Sequence, residues 1–329
     1  MAEGTLSLRA LNRATLARQH LLARVTMPAA AMVDRLVGMQ AQVPENPYVA
    51  LWSRLEGFEA TELSSLIETR RAVRGGLMRG TLHLATERDF RAIWPLIRPV
   101  LERVLHSQSP FGRRMAGLDP SELMTAGRAW LEERPRTRAQ LVPLISERWP
   151  DHDAPSLAYA LTYLLPLVQV TPRGLWRRSG SSAFTTVEAW LDRPVDPAPD
   201  LDALVMRYLA AFGPATVADI RTWSGLAGLR AVVERLRPGL LVLHDERVAA
   251  LFGERPIGLG SILVDGRIHG TWRIGRVGPK REPATTLDIQ VAQALGRADR
   301  AAIVEEGERL LTFLAPEAAS HQVRIAVPA

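Results

Sequence analysis

The chain has 329 residues, 47% of them apolar, with a formal charge of +6 and no cysteine. That length allows more than one domain and a sizeable core, and the lack of cysteine excludes disulfides, thiolate metal sites and thiol nucleophiles. There is no signal-like apolar run near residue 1 and no apolar stretch approaching about eighteen residues, so the expectation is a soluble, cytoplasmic, nucleoid-associated protein with no membrane partner.

LNRATLARQHLLAR and AAAMVDRLVGMQAQ read as the first helices. In the second, at 100° per residue, Met32, Val33, Leu36, Val37 and Met39 share one apolar arc, and Gln40 falls inside it. If the helix ran on through Gln42, the two carboxamides would point about 200° apart. Pro44 disfavours helical geometry at Val43. A chain that leaves the helix before Gln40 makes the pair i and i+2 on one side of an extended segment. The alternative is that both amides satisfy loop carbonyls behind a helix end.

ATELSSLIETR gives a later helix opened by Thr61, and RAVRGGLMRGTLHLAT a hairpin turning at Gly75-Gly76. Alternation in its second strand puts Arg79, Thr81 and His83 on one face, with Met78, Leu82 and Leu84 on the other. That polar face either contacts a DNA backbone or is simply solvated. SELMTAGRAWLEERP, then TRAQLVPLISERW with Thr137 as N-cap, then SLAYALTYLL form a second helical set, followed by VQVTPRGLWRRSG as a hairpin. LDRPVDPAPDLDA reads as a linker.

Residues 201 to 252 repeat the grammar: a helix ended by Gly213-Pro214, a second opened by Thr216 and closed by Gly225, a third to Leu236, then two strand-like runs. Three helices and a hairpin outline a winged helix. SILVDGRIHGTWRIG is a hairpin with an Asp265-Gly266 turn, TTLDIQV adds a strand, and AIVEEGERLLTFLA is a final amphipathic helix. Trp272 reads as core rather than as a base-stacking group.

The fold class expected is therefore mainly α with small β-hairpins (α+β). Its parts are winged-helix units at 1–118 and 119–190, a linker at 191–200, a third unit at 201–252, and a C-terminal hairpin-and-helix region at 253–329. Lys280 is the only lysine, and arginines crowd the hairpins: Arg71, Arg74 and Arg79, then Arg173, Arg177 and Arg178, then Arg267, Arg273, Arg276 and Arg281. Arginine suits phosphate, which ranks DNA first among partners, and the weakly basic third helices favour backbone contact over base readout. The seven histidines show no metal-ligand spacing, and no phosphate loop or dinucleotide fingerprint occurs, so no metal or nucleotide cofactor is expected.

LNRATLARQHLL, MQAQVPENPYVALWSRL, MRGTLHLAT, TVADIRTWSGL and VDGRIHGTWRI, in that order from Leu8 to Leu314, together resemble the AlkZ-type DNA glycosylases. The resemblance implies three tandem winged-helix motifs around a basic concave surface. It also implies excision of alkylated purines from double-stranded DNA, with unhooking of interstrand crosslinks in some members. The family's catalytic glutamine, apolar residue, glutamine element falls on Gln40, Ala41 and Gln42. DNA contacts are then expected at Arg79, His83, Arg173, Arg177, Arg178, Arg273 and Arg276.

The chemistry fits on independent grounds. An N7-alkylated purine is already cationic and leaves without a general acid, and a carboxamide can orient a water but cannot act as a base. One departure stands out: LFGERPIGLGSILVDG joins two elements where the family carries a longer stretch. The alternatives are accordingly a non-catalytic winged-helix DNA binder, either a regulator or an inactive shortened homologue, and a protein-docking scaffold.

Overall fold

The computed structural model describes residues 7–240, 260–277 and 284–327. The hairpin expected after Leu240, the short connection up to Leu259, Lys280 and Arg281 lie outside the described residues. The described residues form two compact units, one of residues 14–240 and one of residues 7–13 with 260–277 and 284–327. Among the described residues no single helix is long and apolar enough to cross a membrane.

The chain begins with α1 (Leu8–Arg18), α2 (Ala29–Arg35), β1 (Met39–Gln40), α3 (Asn46–Trp52) and α4 (Ala60–Glu68). Then come β2 (Ala72–Gly76), a 3₁₀ turn at Met78–Gly80, β3 (Leu82–Thr86) and α5 (Glu87–Arg103). Beyond a π-turn and the short α6 (Pro110–Arg113) lie α7 (Pro120–Glu133), β4 (Arg136–Thr137), α8 (Arg138–Arg148) and α9 (Ala154–Leu164). They are followed by β5 (Leu167–Gln169), β6 (Ala183–Thr186), α10 (Val187–Leu191), α11 (Leu201–Phe212), α12 (Val217–Ser224) and α13 (Leu229–Leu236).

The helix starts follow local chemistry. Thr137 and Thr216 cap α8 and α12, each accepting from the backbone N–H three residues on, at Gln140 and Asp219. Thr61 does not cap α4: Glu59 is the N-cap, its N–H bonded to the Glu62 carboxylate, and Thr61 sits one residue inside the helix. Gly225 closes α12 at φ +77°.

The first two hairpins do not stay separate. They join edge to edge in one antiparallel six-stranded sheet, ordered β1-β3-β2-β5-β6-β4, through the pairs Arg74↔Gln169 and Gly75↔Val168. Gly75 and Gly76 are strand residues rather than the turn expected of them. A Cβ on Gly75 would lie 2.4 Å from the Phe90 ring and 2.5 Å from the Leu167 carbonyl, so this glycine admits a neighbouring helix and strand. The hairpin turns instead through Met78–Gly80, with Arg79 at φ +58° and Gly80 at φ +71°.

Helix α5 carries the core of this unit. Phe90, Ile93, Trp94, Ile97 and Leu101 pack with Val73, Ala85 and Val168 of the sheet and with Leu204 and Ala211 of α11. Pro95 removes the N–H that would serve the Arg91 carbonyl, and the Asp196 N–H takes that acceptor at 3.0 Å. Arg91 Nε also donates to the Pro194 carbonyl at 2.5 Å, so the proline-rich segment after α10 is docked along α5.

In the second unit, β7 (Gly260–Val264), β8 (Arg267–Val277), β9 (Ala284–Val291), α14 (Arg297–Leu314) and β10 (Ser320–Ala326) form a four-stranded sheet with one helix. The expected Asp265-Gly266 turn has both residues at positive φ, 49° and 78°, and Arg9 Nε pairs with the Asp265 carboxylate at 2.7 Å. The half-buried Trp272 ring lies over Gly260, its partner across the ladder. Strand β10, parallel to β9, has no counterpart in the sequence reading.

Candidate active site

The helix that the apolar arc suggested stops at Arg35. Val37 (φ +57°) and Gly38 (φ +106°) then reverse the chain. A fully buried, β-branched residue with positive φ is a local strain that the surrounding packing has to hold. Beyond it β1 runs Met39–Gln40 and the chain bends from Gln42; Met39 and Ala41 are buried while Gln40 and Gln42 are exposed. The alternation of burial exposes both glutamines and buries the residue between them, which is compatible with the i, i+2 reading.

This segment is held by β3. Gln40 lies opposite His83 in the ladder, and the Ala41 N–H donates to the Leu82 carbonyl at 2.7 Å. The Leu82 N–H in turn donates to Gln42 Oε1 at 3.3 Å. Gln42 is thus anchored by its oxygen and its N–H pair has no hydrogen-bond partner among the described residues, where Gln40 makes no side-chain hydrogen bond at all. The Ala41 carbonyl accepts from Arg74 Nη2 at 2.6 Å, and Arg74 Nη1 donates to Gln169 Oε1 at 2.6 Å.

The expected DNA-contact residues divide. Arg79 is exposed at the hairpin turn, and Arg177 and Arg178 are exposed on the loop between β5 and β6, with Arg177 against the Trp176 ring. Arg79 and Arg178 have no carboxylate partner among the described residues. Arg173 is half-buried and braces its own loop by donating to the Gly180 carbonyl at 3.0 Å. Arg273, in the second unit, is exposed with its Nε 3.8 Å from Asp288, and only the backbone of Arg276 is described, in β8.

Two expected surface groups are interior. Arg74, read as a basic group of the first hairpin, is 2% exposed, and burial, with Arg173 adding to it, pushes its pKa down to about 10. His83 is 4% exposed, so a side chain expected on a DNA-facing strand surface sits inside the fold. Its Nδ1 is 3.0 Å from the Thr81 carbonyl, which can only accept, so the proton is on Nδ1 and Nε2 carries a lone pair.

Burial lowers the His83 pKa to about 4, with the Arg79 charge adding and the Thr81 carbonyl opposing. The folded protein thus favours neutral imidazole. Its contribution to stability is complete above the ordinary value of about 6.5 and is lost as pH falls toward about 4. Melting curves between those limits should show stability declining with acidification, and His83→Leu should flatten that decline. An equally steep decline in the variant would assign it to other groups.

Arg74, Gln169 and Tyr48 escaped the sequence reading as members of this site. The one available signal was a polar residue set inside an apolar strand, as in AVRG and LVQV, the pattern that made MQAQ conspicuous. Among the described residues no three His, Asp or Glu side chains converge as metal ligands. A cavity of about 530 Å³ lies elsewhere in the unit, lined in part by Trp94, Arg128 and Glu188, and contains none of the predicted residues.

Over residues 33–257 the sequence matches the family described as DNA glycosylase AlkZ-like. The fold is similar to that of the Streptomyces sahachiroi DNA glycosylase AlkZ, with a TM-score of 0.72 at 20% identity, covering 98% of this chain and 100% of that one. No curated protein sequence matches the chain.

Proposed function

The chain belongs to the AlkZ-like DNA glycosylase family, and from that premise we propose that it hydrolyses the N-glycosidic bond of cationic, N7-alkylated purines in double-stranded DNA. Interstrand crosslinks through the same atom are candidate substrates. The observation that carries this reading is the exposed Gln40 and Gln42 pair flanking a residue that is buried and held at both backbone groups.

The division of hydrogen bonds supports separate tasks for the two glutamines. Gln40 Oε1 is free to accept a proton of water and aim the water oxygen at C1′. The same oxygen dipole favours the positive charge that develops on the sugar as the bond to N9 lengthens. The purine leaves as a neutral molecule because its N7 charge is cancelled by the bonding pair it takes with it. The attacking water keeps its oxygen on C1′ and loses a proton to solvent. The N–H pair of Gln42 holds an acceptor beside the lesion. Neither group titrates near neutrality, so the chemistry suits a base that leaves nearly unaided.

Arg79, Arg177 and Arg178 are assigned to phosphate contact, with Arg173 shaping their loop and Arg273 and Arg276 adding contacts from the second unit. Residues 1–118, 119–190 and 201–252 are read as three winged-helix motifs. The best support comes from 119–190, where a helix, a capped helix, a third helix and paired strands follow in order.

Wild-type protein incubated with alkylated duplex should release free N7-methylguanine and leave an abasic site, at a rate nearly constant between about pH 6 and 9 because no general acid or base titrates. Well-folded protein that releases no cationic base from any lesion or crosslink would sink the proposal. Salt-sensitive DNA binding without base loss would mark a non-catalytic DNA binder instead.

A further inference from the structure

We propose that Arg74 is a positioning residue of the reaction centre, fixing the peptide between Gln40 and Gln42 and with it the mutual aim of the two carboxamides. The inference rests on the glycosylase reading of those glutamines. The ladder pairs Leu84 with both Met39 and Arg74, and His83 with both Gln40 and Gly75. Arg74 therefore rises from the sheet face opposite the one that carries Gln40. It reaches the backbone of the site without touching its reactive groups.

Ala41 is the hinge between the two glutamines and is fully buried. Its N–H is held by the Leu82 carbonyl and its own carbonyl by Arg74 Nη2. Neither flanking peptide can rotate without breaking one of these bonds. Arg74 is in turn held flat by Gln169, itself 7% exposed, through Nη1. The backbone of Gly174 (φ +96°) packs directly on the arginine stem, where a Cβ would lie 2.8 Å from Arg74 Cδ. The Tyr48 hydroxyl closes the assembly by donating to the Gly174 carbonyl at 2.8 Å.

Stability does not explain the choice of arginine. Among the described residues it forms no carboxylate ion pair and its buried Nε has no acceptor; burial and the Arg173 charge outweigh the favourable field of Glu45. A methionine of similar volume would avoid burying a charge. What only arginine supplies is a rigid fork that reaches two acceptors at once, the Ala41 carbonyl and Gln169. That loop also carries Arg173, Arg177 and Arg178, so the posture of the glutamines and the seating of the proposed phosphate contacts share one support.

The test compares wild type with Arg74→Met, Arg74→Lys and Gly174→Ala by single-turnover excision of N7-methylguanine, DNA affinity, and ¹H–¹⁵N spectra of the Gln40 and Gln42 side-chain amides. Arg74→Met should lose about 100-fold in excision rate, the scale of a misplaced reacting group, measured with the substrate saturated by protein so that any weaker DNA binding through the shared loop does not enter the rate. Its two amide signals should shift or broaden while the rest of the spectrum stays folded. Arg74→Lys should recover about tenfold, because an ammonium reaches one acceptor but not both. Gly174→Ala, which keeps the arginine but crowds its stem, should fall between the two.

Folded Arg74→Met protein with a wild-type excision rate and unmoved glutamine amides would overturn the inference. If wild type excises no cationic base, the glycosylase reading fails, and the amide spectra still decide. Signals unmoved by Arg74→Met reject the positioning role, and displaced signals uphold it.

Discussion

Gln40→Ala is expected to lower the excision rate of N7-methylguanine by about 10³-fold, and Gln42→Ala by about 10²-fold, the range seen when one transition-state hydrogen-bonding group is removed. The two losses should not multiply fully in the double variant, because neighbouring groups of one reaction centre act as a unit. Gln40 is exposed and makes no side-chain hydrogen bond among the described residues, so its removal should leave the melting temperature within experimental scatter. Gln42 accepts from the Leu82 N–H, so its alanine variant should lose some stability as well as rate. Single-turnover release from alkylated duplex, with thermal melts on the same preparations, separates the two effects. Full activity in Gln40→Ala would remove this glutamine from the chemistry.

Arg207→Met is expected to destabilise the first unit by about 3 kcal/mol, the low end of the cost of stranding a buried charge, because Arg207 itself is partly exposed. Asp89, in the first turn of α5, is 1% exposed. Arg207 of α11 grips it with both guanidinium nitrogens, Nη2 to Oδ2 at 2.8 Å and Nη1 to Oδ1 more closely still. Nη2 also reaches the Asp34 carbonyl at 2.5 Å, in the last turn of α2. In Arg207→Met the nearest other cation to Asp89 would be Arg88, whose Nε is 3.7 Å away on a largely exposed side chain.

At roughly 2 to 4 °C per kcal/mol for a unit of this size, the melting temperature should fall by about 10 °C. Asp89→Asn in the same background should restore part of the loss, since it removes the stranded charge and keeps the shape. Equal melting temperatures for Arg207→Met and the double variant would show that the charge pair is not what the mutation broke. Because Arg207 ends the helix leading to Val37 and Gly38, the third helical set also braces the entry to the glutamine segment.

Capping residues and turn dipeptides made much of this fold readable. Thr137, Thr216, Gly225 and Asp265-Gly266 each do what their side chains or backbone freedom dictate locally. Thr61 failed because Glu59, two residues earlier, offered a competing cap. Gly75 failed because a glycine can mean a turn or a close approach, and Phe90, fifteen positions along, decides between them. The glutamine pair was legible as a conditional geometry. Its resolution depended on Leu82 pulling Ala41 into a ladder, a contact across forty-one residues that no local pattern encodes.

Arg74 illustrates the deeper limit. Charge and hairpin context placed it on the surface. Only the meeting of β2 with β5 supplies the Gln169 that makes an interior site tolerable for it.

That meeting of strands also assigns the work of adaptation. Because β2 and β5 are hydrogen-bonded neighbours, parting the first two helical sets would break the Arg74↔Gln169 and Gly75↔Val168 pairing. On the glycosylase reading, that cost shifts the bending toward the DNA. A duplex softened at a damaged or mispaired step would then be cheaper to seat than an intact one, so lesion search would begin with stiffness before any base is read.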